Sequence, residues 1–168
     1  PNQHFLICAL DMAYWDLYAK FKRKKIYEIM GIEWKDGPLT DYTLGIDTPD
    51  KMIQKLKENP WPIYKIKMSS PDEIDTIRQL RTETNALFRI DANASWKVDD
   101  AMLLIPELKK LGVEFVKQPL AKDQWDATQM LKQQSVLPLY ADESCVTEHD
   151  VLQCAKSFHG INIKLTKC

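Results

Sequence analysis

Five short apolar runs, each ending in charged or amide residues, start at positions 64, 89, 115, 140 and 161: Tyr64-Lys65-Ile66-Lys67, Arg89-Ile90-Asp91-Ala92-Asn93, Phe115-Val116-Lys117-Gln118-Pro119, Tyr140-Ala141-Asp142-Glu143-Ser144 and Ile161-Asn162-Ile163-Lys164. Between each pair lies a stretch with helical periodicity. A chain that alternates in this way folds as β-α units whose right-handed crossovers bring every strand end to one side of a parallel sheet. In a (β/α) barrel that side lines the active site, where packing alone would call for Val, Ile or Leu. The fold class expected is therefore α/β, a partial TIM-type (β/α) barrel of about six β-α units.

The punctuation agrees with this. Apolar residues Leu6, Leu10, Ala13, Tyr14, Leu17 and Phe21 recur at helical spacing, predicting an amphipathic helix from Phe5 to Lys22 that packs one long face on a neighbour. A short helix over Ile26–Met30 stops at Gly31, and Lys35-Asp36-Gly37-Pro38 reads as a turn. Strands are predicted at 39–46, 63–68, 87–93, 113–118, 137–141 and 161–165. Thr48-Pro49 and Ser70-Pro71 each supply a capping hydroxyl before a proline at the first helical position. Helices then run to Asn59 and Thr84, followed by helices at 98–111 (with Pro106 as a kink and Gly112 as terminator), 126–134 and 148–157.

Composition excludes several classes of function. The 23 basic and 24 acidic residues are interspersed, so no basic stripe is present for nucleic acid. No apolar run reaches membrane-spanning length, Pro1-Asn2-Gln3-His4 has no signal pattern, and a cytoplasmic location is the default. Cys8, Cys145, Cys154 and Cys168 lack CxxC spacing, and His4, His149 and His159 do not stand at metal-ligand intervals. The cysteines read as small buried or half-buried thiols in a reducing compartment. Cys145 beside the Asp-Glu-Ser run would be a nucleophile only with a histidine partner, which the sequence does not place.

The strand ends carry the chemistry. Asp91 and Asp142 are hard oxygen ligands of the type Mg²⁺ takes, although as isolated aspartates they would also serve as helix caps. In a closed barrel Lys67 and Lys164 would face each other across the mouth, suited to removing a proton from one face of a carbon and returning it from the other. Lys65, two residues before Lys67, points to the same face, and its charge would lower the pKa of Lys67 toward that of a working base.

Lys65-Ile66-Lys67, Asp91-Ala92-Asn93, Gln118-Pro119, Asp142-Glu143-Ser144 and Asn162-Ile163-Lys164 together resemble the enolase superfamily, in the muconate-lactonizing subgroup. The likeness spans essentially the whole chain and is greatest to the dipeptide epimerases that act on L-Ala-D/L-Glu. That superfamily's pairing of a Lys or His base with Mg²⁺ is a known pattern. The resemblance implies Lys67 and Lys164 as the acid/base pair, Thr43 and Lys65 as substrate contacts, and Asp91 and Asp142 as ligands of Mg²⁺. It further implies Asn93, Glu143 and Asn162 as supporting groups, a small dipeptide as partner, and a homo-oligomer as an option for the intact protein.

One position departs from the pattern: the glutamate that the resemblance places before Gln-Pro as the middle metal ligand is Lys117 here. Glu114, three residues earlier, points to the other strand face and is not expected to substitute. Lys117 is expected to pair with Asp91 and Asp142, leaving Mg²⁺ binding and epimerisation impaired. The alternatives are a cycloisomerase or o-succinylbenzoate synthase on the same fold, and a non-catalytic barrel scaffold. The first residue is not Met and no helix follows the last strand, so the chain is expected to be an excerpt. Residues 1–38 would link a capping domain to the barrel, and residues 39–168 would form the partial catalytic barrel without its C-terminal strands.

Overall fold

The computed structural model describes residues 3–167. Its elements are α1 (His4–Lys22), α2 (Ile26–Ile29), β1 (Tyr42–Leu44), α3 (Pro49–Glu58), β2 (Ile63–Lys67), α4 (Ile74–Glu83), β3 (Leu87–Asp91), α5 (Val98–Lys110), β4 (Val113–Lys117), α6 (Trp125–Gln134), β5 (Leu139–Ala141), α7 (Val151–Ser157) and β6 (Gly160–Ile161). The six strands form one parallel sheet in the order β1-β2-β3-β4-β5-β6, with a helix between each neighbouring pair. Two compact units are distinguishable: one holds the residues up to Pro38 together with those from Ile163 onward, the other Leu39–Asn162.

In the larger unit the register separates an apolar row from a polar one. Leu44, Ile66, Ile90, Val116 and Leu139 are successive partners across β1 to β5, and each is fully buried. Helix residues Leu56, Ile77, Leu80, Leu104, Leu108 and Leu131 belong to the same core. Burying one such side chain contributes about 1.5–3 kcal/mol before the conformational entropy of ordering it is subtracted. One residue further on, the row reads Lys67, Asp91, Lys117, Tyr140, which alternation turns to the other face.

Several boundaries differ from those the sequence predicts, for local reasons. The edge strand β1 has only β2 to pair with and shrinks to three residues. Thr48 does not cap α3 with its hydroxyl; separately, its N–H donates to the neighbouring Asp47 carboxylate at 2.9 Å. Ser70 does cap, but the turn it starts is a 3₁₀ turn over Pro71–Glu73 that leads into α4. Helix α5 continues through Pro106 and ends before Gly112, which takes φ 71°.

β6 is shorter than predicted. β5 itself ends at Ala141, and its pairing with β6 ends with Asn162 N–H to Ala141 O at 2.7 Å. In the other unit the apolar stripe of α1 does not bury a long face: Leu10, Leu17 and Phe21 are 63, 69 and 78% exposed. Cys8, Cys145 and Cys154 are buried cysteines, and Cys168 lies outside the described residues. Burial, with Cys145 alongside, pushes the Cys154 thiol up to about 12, which argues against nucleophilic use.

His159 ties the β6 end to β5. Its Nδ1 accepts from Leu139 N–H at 3.0 Å, which requires the neutral ring, and burial followed by the Lys132 charge holds its pKa below the ordinary value of 6.5. Because the folded pKa is depressed, this contribution to stability is present above the unfolded value and lost as pH falls through the folded one. Between pH 7.5 and 5, the urea midpoint of the full-length protein should fall further than that of a His159→Leu variant. Equal falls would show that the bond carries no pH dependence.

Candidate active site

The ends of β3, β4 and β5 bring two aspartates and a lysine into one cluster. Lys117 Nζ stands 2.8 Å from Asp91 Oδ2 and 2.8 Å from Asp142 Oδ2, and Lys65 Nζ lies 3.9 Å from the same Asp91 oxygen. Charge is layered by depth: side-chain exposure is 0% for Asp142, 3% for Asp91, 10% for Lys117 and 29% for Lys65. Burial alone would push the Lys117 ammonium down. Hydrogen bonds to Asp142 and Asp91, and their charges, outweigh it and hold the group above the ordinary lysine value, so it stays cationic through neutral pH. Asp91 Oδ1 is buried with no hydrogen-bond partner.

The loops after β3 and β4 owe their shape to left-handed backbone at Asn93, Ala94 and Gln118, with φ of 47°, 62° and 40°. Ala94 N–H donates to Gln118 O at 2.8 Å and Trp96 N–H to Pro119 O at 3.0 Å, which latches the two strand ends together. The fully buried Gln118 amide is the hub: Oε1 accepts from the N–H groups of Asp142 (2.9 Å) and Ser144 (3.2 Å), and Nε2 donates to Ser144 Oγ and Leu120 O. Sequence reasoning quoted Gln118 within its motif without assigning it this role. Its partners lie in the next β-α unit, and no local spacing points to them. Gln118→Leu should cost about 2–4 kcal/mol in chemical denaturation, since it strands buried donors next to Asp142; a loss below 1 kcal/mol would show that water replaces the amide.

The remaining predicted residues are placed as follows. Lys67 pairs in register with Asp91, is exposed, and makes no ion pair among the described residues. Thr43 is exposed and in register with Lys65. Asn93 Nδ2 donates to Glu143 Oε1 at 3.4 Å. Asn162 reaches β5 through its backbone. Lys164 lies beyond the end of β6, exposed, in the unit that contains α1. Glu114 stays out of the cluster, bound to Arg89 Nε at 2.7 Å.

The donor set does not fit a divalent metal. Two carboxylates with water could hold Mg²⁺, but the point within reach of both Asp91 and Asp142 holds an ammonium, which repels a cation. Among the described residues, no group of three or more His, Cys, Asp or Glu side chains could hold a metal ion.

Comparison with known proteins places this geometry in context. The Enolase C-terminal domain-like family matches residues 50–168. An L-Ala-D/L-amino acid epimerase of Flavobacterium johnsoniae is 51% identical over 167 residues, covering 99% of this chain and 50% of the relative. Among solved structures, a substrate-liganded L-Ala-D/L-Glu epimerase from Bacillus subtilis superposes with a TM-score of 0.84 at 28% identity, covering 95% of this chain and 48% of that one. A dipeptide epimerase from Enterococcus faecalis, complexed with Mg and the dipeptide L-Leu-L-Tyr, gives 0.81 at 31% identity over 92% of this chain and 46% of that one. The chain spans about half the length of the curated relatives it matches.

Proposed function

The chain belongs to the Enolase C-terminal domain-like family, and from that membership we propose that the full-length protein carrying it is a dipeptide-epimerase barrel with little or no epimerase activity, because the Lys117 ammonium stands between Asp91 and Asp142 where a cation would be held. The relatives' names point to dipeptides as the ligand class, and the expected acid/base pair is Lys67 with Lys164. Lys65 and Thr43 would meet the substrate, while Asn93, Glu143 and Asn162 support the rim. Taking the α-proton places a further negative charge on the substrate carboxylate, and stabilising that charge is usually the largest catalytic term. A single ammonium already shared by two carboxylates supplies less of this field than a divalent ion.

The test is exchange of the α-proton of L-Ala-D/L-Glu in D₂O with Mg²⁺, followed by NMR on the full-length protein. Exchange is expected at the uncatalysed rate. Rapid Mg²⁺-dependent exchange that Asp91→Ala abolishes would overturn the reading. The same ammonium supports a second reading, a non-catalytic barrel that binds its ligand without turning it over. Nothing observed favours a cycloisomerase or an o-succinylbenzoate synthase over either.

A further inference from the structure

We propose that Lys117 acts as a built-in cation, and that with Lys65 it binds the carboxylate of a small peptide-like acid directly, with no divalent metal. This rests on the reading of the site given above and names what the cluster does as it stands.

Three observations carry it. First, an ammonium has three N–H donors, and the partners of Lys117 among the described residues are Asp91 and Asp142, which leaves one N–H for a ligand. Second, Lys65 Nζ approaches the same Asp91 oxygen as Lys117 Nζ, at 3.9 and 2.8 Å, so the two ammonium groups are close enough for one carboxylate to lie across both. Third, the carboxylates are the deepest charges and the ammonium groups the shallower ones, at 0 and 3% against 10 and 29% side-chain exposure. Lys67, in register with Asp91, adds a further exposed cation at the strand ends, and Asn93 donates to the Glu143 carboxylate in the following loop. A ligand arriving from solvent therefore meets N–H donors before it meets carboxylate oxygens.

The charge count supports the same conclusion. Two carboxylates with one ammonium carry a net charge of −1, the same as three carboxylates with one divalent cation. Replacing a Glu-and-metal pair by a lysine therefore leaves the net charge facing the ligand unchanged, while concentrating less of it at one point. Ground-state binding of a carboxylate depends on the net field and on available donors, whereas the extra charge of the transition state depends on the concentrated ion. Binding is thus kept and turnover is lost.

The experiment is calorimetric titration of the full-length protein with L-Ala-L-Glu in low salt, once in EDTA and once in excess Mg²⁺. Saturable binding is expected in both, with dissociation constants within about twofold of each other. Lys65→Met and Lys117→Met should each weaken it by about tenfold or more, the effect of one charge-assisted hydrogen bond. If Lys117→Met does not fold, the wild-type comparison and Lys65→Met still decide. Binding absent in EDTA, binding that appears only with Mg²⁺, or binding unmoved by Lys65→Met would overturn the proposal. In those cases the Lys117→Glu variant with Mg²⁺ separates the two levels: dipeptide binding there would keep the epimerase-barrel reading and discard the built-in cation, and its absence would discard both.

Discussion

A Lys117→Glu variant of the full-length protein is expected to gain both Mg²⁺ affinity and isotope exchange. The substitution removes the ammonium that lies 2.8 Å from Asp91 and from Asp142 and places a third carboxylate on β4 between them. Three acidic side chains at adjacent strand ends repel one another without a cation, so in EDTA the variant should melt below the parent. A bound divalent ion reverses that sign. Ligand binding to the folded state raises stability with concentration, and the variant's melting midpoint should climb with Mg²⁺ while the parent's does not. With the metal in place, α-proton exchange of L-Ala-D/L-Glu should exceed the parent's by at least about 10²-fold, the range seen when an oxyanion-stabilising group is added or removed. A variant that binds Mg²⁺ without exchanging would show that the impairment lies elsewhere, most directly in the acid/base lysines.

That experiment depends on which features were legible in the chain and which were not. The parallel order and the strand-end site were legible because strands one residue out of phase separate cleanly: Ile66, Ile90 and Val116 fall in the buried row, and Lys67, Asp91 and Lys117 in the row beside it. The Lys117 ion pairs were legible from charge alone, since a lysine between two aspartates at neighbouring strand ends has no cheaper arrangement. What escaped depends on geometry that residue type alone does not carry. Thr48 has the residue type of a cap, yet its hydroxyl makes no capping bond. β6 looks continuous through Lys164, yet β5 ends at Ala141 and the ladder stops with the Asn162 N–H on the Ala141 carbonyl. The stripe of α1 is periodic, yet periodicity states only that a face is apolar, and here Leu17 and Phe21 stay exposed.

Lys117→Met should be the most destabilising single change at the site. Methionine nearly matches the length of the lysine stem and keeps its packing, so the loss isolates the charge. The variant removes the ammonium that lies 2.8 Å from both Asp91 and Asp142, carboxylates at 3 and 0% side-chain exposure. Lys65, 3.9 Å from Asp91 and itself 29% exposed, is a weaker counter-charge for that aspartate than the one lost. Removing one partner of a buried pair typically costs about 3–5 kcal/mol, most of it the desolvation of the charge left behind. Urea unfolding at neutral pH measures it. A loss of less than about 1 kcal/mol at neutral pH would mean that water already screens the aspartates and that the ammonium has the weak energetics of an exposed ion pair.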